Sequence, residues 1–203
     1  MEEQLKKSHL IAAVCVLFLK GISAYGQQGD VAFGVSTLIA PAASTVNGNL
    51  LPSLTGGAYP VFSGDVIFFK RQLGIGGDVA WKGSRGSFQG FPYRPIFYDF
   101  NAVWVAPGAK HITPELAAGI GAESVRFYGN FIICGSFSSS CTNYTSSNHF
   151  MAHFGGGLRL YVKGNFFVRP EAHLYLVHNN VEFSSGRATR VGLSIGYTFR
   201  PPQ

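Results

Sequence analysis

Ala188-Thr189-Arg190-Val191-Gly192-Leu193-Ser194-Ile195-Gly196-Tyr197-Thr198-Phe199 is the stretch on which the fold turns. Successive side chains of a strand point to opposite faces. Thr189, Val191, Leu193, Ile195, Tyr197 and Phe199 therefore share one face, and Ala188, Arg190, Gly192, Ser194, Gly196 and Thr198 share the other. One face is apolar and the other small or polar. A water-soluble barrel would turn the apolar face inward. Here the polar face repeatedly carries charge, so the alternation predicts the reverse: apolar toward lipid, polar toward a narrow interior.

The same ribbon recurs over residues 30–39, 59–69, 73–82, 95–105, 112–128, 149–162 and 166–178. The ribbon at 59–69 is the least regular, and the one at 112–128 loses its phase near Val125, which predicts a bulge or an exit from the membrane. Connections alternate between long (41–58, 83–94, 129–148, 179–187) and short (70–72, 107–110, 163–165). That is the pattern of a spanning barrel with tight turns at one end and loops at the other. Ribbons of about 10 to 12 residues suit a tilted crossing of a bilayer. The expectation is all-β: an eight-stranded antiparallel up-and-down transmembrane β-barrel. A soluble barrel would want bulky apolar residues inside rather than Asp, Glu and Arg.

The ends and composition agree with export. Lys6 and Lys7 precede an apolar run from Leu10 to Leu19, followed by small residues at Ser23-Ala24-Tyr25-Gly26, the design of a secretory signal peptide over 1–26. The run is too short for a transmembrane helix. Residues 27–203 then form one barrel domain. Cys15 leaves with the leader, so Cys134 and Cys141 remain, an even pair in an oxidising compartment and the expected disulfide. The formal net charge of +6 falls to about +5 without the leader and is scattered, which gives a nucleic-acid partner no footing. Twenty-six glycines and eighteen phenylalanines suit a crowded interior and a lipid-facing exterior.

The whole mature chain resembles the small eight-stranded outer-membrane barrels of the OmpA/OmpX type. The resemblance is carried by Gly157-Leu-Arg-Leu-Tyr-Val162, Phe167-Val-Arg-Pro-Glu-Ala172 and the closing Gly196-Tyr-Thr-Phe199. It implies outer-membrane localisation, lipid contact, and recognition of Tyr197 and Phe199 by the assembly machinery as a terminal aromatic signal. The chain differs in running on through Arg200-Pro201-Pro202-Gln203.

The inward faces hold both signs: Asp65, Asp78, Asp99, Glu115, Glu123 and Glu171 against Lys82, Arg159, Arg169 and Arg190. Buried charges survive only when paired. The expected interior network is Asp78, Asp99, Glu115, Arg159, Arg169, Glu171 and Arg190, with Glu115, Arg159 and Glu171 as a ladder. An eight-stranded barrel is filled by its own side chains, so the network reads as a plug before it reads as a pore lining. His149 and His153 face inward near one end and could hold a metal with Glu123; they read as solvated rim histidines, and no metal or other cofactor is expected. His173, His178 and Ser184 lack the context that places a nucleophile beside its base, so no catalysis is expected. Phe88, Phe91 and Tyr93 in the second loop are candidates for partner contact, against a reading as an interfacial girdle. The sequence points to a monomer with a structural or surface-interaction role, meeting an extracellular ligand through its loops. A narrow passive channel is the alternative, and a lipid-modifying enzyme a distant third.

Overall fold

The computed structural model describes residues 28–46, 48–88, 90–107, 111–134 and 141–199. The expected leader, Cys15 and the tail after Phe199 lie outside them. In chain order the strands are β1 (Gln28–Ile39), β2 (Ser44–Val46), β3 (Asn49–Leu51), β4 (Tyr59–Phe69), β5 (Leu73–Trp81) and β6 (Gly86–Phe88). They continue with β7 (Phe91–Val105), β8 (Ile112–Cys134), β9 (Cys141–Lys163), β10 (Phe166–Val177) and β11 (Arg187–Phe199). Eight of them, β1, β4, β5 and β7 to β11, run up and down, each hydrogen-bonded antiparallel to the next. β1 pairs with β11 and β5 with β7, so the ring closes without an open edge. Closure satisfies every ladder, the condition for strands to cross lipid.

Alternation builds the wall. On β1, Val31, Phe33, Val35, Thr37 and Ile39 stand out while Ala32, Gly34, Ser36 and Leu38 turn in. The outward belt continues through Phe100, Ile120, Phe154 and Ile195, which stay more than half exposed. Tight turns close one end, here the turn end. The β4–β5 turn is bonded from the Gln72 amide to the Phe69 carbonyl at 2.8 Å, with Lys70 and Arg71 at φ 48° and 55°. Two left-handed residues make the primed turn whose twist matches the flanking strands.

Three sequence expectations change. β7 begins at Phe91, so Tyr93 is a strand residue, only 4 % exposed and turned into the barrel rather than outward from a loop. Phe91 is exposed, as expected. The third connection is mostly strand, because β8 and β9 run on as a paired ribbon past the belt to Cys134 and Cys141. Hydrophobic alternation disappears where both faces of a ribbon meet water, but main-chain pairing does not. The phase is also kept near Val125, which faces inward opposite Pro95 with no bulge. Arg126 and Tyr128, on the other face, take positions that apolar groups hold lower in the strand. The register shift comes later, between Tyr128 and Ile133.

The interior is layered. At the loop end Leu38, Tyr59, Phe97, Met151 and Tyr175 form an apolar cluster, to which the loops add Leu54 and Phe183. Charged residues fill the middle. Ile67, Val103 and Val105 pack at the turn end.

Candidate functional site

Arg159, on the inward face of β9 and fully buried, reaches across the lumen. Its Nε donates to Glu115 on β8, its Nη1 to Asp30 on β1, and its Nη2 to Asp65 on β4 at 3.3 Å. Arg169 on β10 donates to Glu171 at 2.8 Å, to Glu115 at 3.0 Å and to Ser63 at 2.7 Å. Arg190 on β11 donates to Asp78 at 2.9 Å and to Glu171 at 3.5 Å. Seven strands are thereby cross-linked through the axis.

The expected ladder is corrected in one rung. Glu115 does meet Arg159, but Glu171 is held by Arg169 and Arg190 instead. Neighbouring inward residues on adjacent strands are not the ones a long guanidinium must choose. Arg159 leans across the lumen to Asp30, a partner the sequence reading missed. Its signal was present, because Asp30 shares the inward phase of Ala32 and Gly34.

Asp99 stands apart from the arginines. Its Oδ1 accepts from Asn101 Nδ2 and lies 3.4 Å from His153 Nδ1. Glu123 is fully buried, with no arginine bonded to it among the described residues, and accepts from Asn180 Nδ2 at 2.9 Å. Lys82 leaves the interior set for the loop end, its ammonium 5.2 Å from the centre of the Tyr93 ring. There, above the belt, partial burial lowers the Lys82 ammonium below the usual lysine range.

The histidines separate. His149 lies at the loop end, with Ser147 Oγ at 3.0 Å and Glu182 at 2.8 Å. Hydroxyl and carboxylate share the same ring nitrogen, so no proton relay runs through the imidazole. His153 is not a rim residue: it is fully buried, and its neighbour is His173 rather than His149. Ser184 donates to the Pro41 carbonyl, far from any such pair. Tyr197 packs edge-on against Phe166 and Phe199 at the turn end, each at 4.9 Å between ring centres.

A closed eight-stranded ring, an apolar exterior and a charged, filled axis define the class: a small up-and-down barrel of the outer-membrane type. No protein-family model and no curated protein matches this sequence. Solved structures do match it. NspA, the Neisserial surface protein A, aligns with a TM-score of 0.58 at 10 % identity, covering 85 % of this chain and 97 % of that one. Ail, the attachment invasion locus protein of Yersinia pestis, was solved with the heparin analogue sucrose octasulfate. It aligns at 0.52 and 14 % identity, covering 86 % and 100 %. The N-terminal β-barrel domain of Pseudomonas aeruginosa OprF aligns at 0.50 and 16 % identity over the same shares. The fold is theirs.

Proposed function

We propose that this chain is an integral outer-membrane barrel with a closed interior, acting through its loop end as a surface-interaction, adhesin-like protein. In this reading the leader is removed on export, the assembly machinery reads Tyr197 and Phe199, and the monomer sits in lipid with both chain ends in the periplasm. The observation that carries it is the ribbon formed by the ends of β8 and β9. Its base is basic and aromatic: Arg85 lies 3.8 Å from the centre of the Tyr128 ring and Arg126 4.8 Å from that of Tyr144. Arg94 is the cross-strand neighbour of Arg126. Guanidiniums held over aromatic faces above a lipid belt suit a polyanionic partner. That Ail was solved with a heparin analogue agrees with this choice of chemistry. Replacing Arg85, Arg94 and Arg126 together by Ala should leave the barrel folded and abolish cell adhesion to a heparin-coated surface. Unchanged adhesion would count against the ribbon as the contact.

Cys134 and Cys141 face each other directly in that ribbon, which supports the proposed disulfide at its tip. Alkylation before and after reduction, read by mass, should block no thiol in the first case and two in the second.

A further inference from the structure

Beneath the apolar cluster, three buried side chains from three strands converge: Asp78 (β5), His153 (β9) and His173 (β10). One ligand atom from each lies within 4.8 Å of the others. His153 Nε2 is 2.7 Å from His173 Nδ1, and His173 Nδ1 is 3.9 Å from Asp78 Oδ2. The far nitrogens fix the protonation. Asn101 donates its Nδ2 to Asp99, so its amide oxygen faces His153 Nδ1 at 2.7 Å, and that nitrogen must carry hydrogen. His173 Nε2 faces Glu171 Oε1 at 3.8 Å, an acceptor only. Each ring thus turns its hydrogen-bearing side toward an oxygen. With hydrogen on the Glu171-facing nitrogen of His173, the two near nitrogens stand lone pair to lone pair, an arrangement that a cation between them relieves.

We propose that Asp78, His153 and His173 form a transition-metal site of the zinc type inside the barrel. Two imidazoles and a carboxylate are a normal zinc donor set, and bonds of about 2 Å in tetrahedral geometry separate the ligands by roughly 3.3 Å. The observed 2.7 and 3.9 Å bracket that spacing. Asn101 on His153 and Glu171 on His173 are the outer partners that orient metal-binding histidines. Arg190 donates to Asp78 and fixes the third ligand.

Two further observations favour a metal over a shared proton. Asp99 Oδ2 is buried without a hydrogen-bond partner, leaving its negative charge unanswered. Among the described residues of the interior, Asp30, Asp65, Asp78, Asp99, Glu115, Glu123 and Glu171 are buried against only Arg159, Arg169 and Arg190 as guanidiniums. A divalent ion reduces that surplus more than a proton does. The approach of the rings is also specific, since a side chain at Gly155 would collide with His173 Nδ1. This inference is independent of the adhesive role.

The test is refolding of tag-free mature protein into detergent with Co2+ alone, followed by desalting. One equivalent should stay bound, with the visible absorption of four-coordinate cobalt. His153→Gln and His173→Gln should each abolish it, while His149→Gln, at the rim, should not. Should the first two fail to fold, Asp78→Asn keeps the side-chain shape and should lower retention by about tenfold or more. A folded wild-type protein free of cobalt, or undiminished binding in folded His153→Gln or Asp78→Asn, would overturn the site and leave a shared proton between the rings.

Discussion

Arg159→Ala is expected to destabilise the barrel by about 3–5 kcal/mol, the usual consequence of removing one partner from a buried ion network. Three carboxylates lose their main donor at once: Asp30, Asp65 and Glu115. Glu171 does not, because Arg169 and Arg190 still hold it. The loss should appear as a lower urea midpoint for the heat-modifiable folded band in detergent. Arg159→Lys should lie between, since an ammonium restores the charge without the fork that serves three strands. A wild-type midpoint in Arg159→Ala would mean that the carboxylates are not held as the structure shows.

Phe97→Ala is expected to cost about 3–5 kcal/mol, the range for emptying a buried aromatic site. Phe97 is 1 % exposed, stacks on Tyr175 with 5.0 Å between ring centres and 5° between planes, and leans on Tyr59 at 6.2 Å. Its removal leaves a cavity, not a channel, because the arginine layer beneath is untouched. Planar-bilayer recordings of both wild-type and variant barrels should therefore show no discrete conductance steps. Steps from the wild-type protein would revive the passive-channel reading and contradict a filled axis.

Much of the wall was legible because it depends on a local rule. The inward positions of Asp78, Glu115, Arg159, Arg169, Glu171 and Arg190 followed from a period of two, and the structure places them there. The rule failed where its cause was missing. In the β8–β9 ribbon water lies on both sides, so nothing in the side chains marks the strands, and residues 129–148 read as loop. Tyr93 read as loop for a related reason: Phe91 to Arg94 look like a Pro-containing aromatic cluster, and only pairing with β8 reveals a strand.

Contacts across the lumen were not legible at all. Arg159 on β9 meets Asp30 on β1 from 129 positions away. Which inward residues face each other depends on the stagger with which the eight strands close, a global quantity that no segment encodes alone. The sequence by itself determined the faces, the number of crossings and the charge of the axis, because alternation and turn chemistry act within a few residues. Only the closed ring decided which distant carboxylate each arginine holds, because only closure sets the distances across the axis.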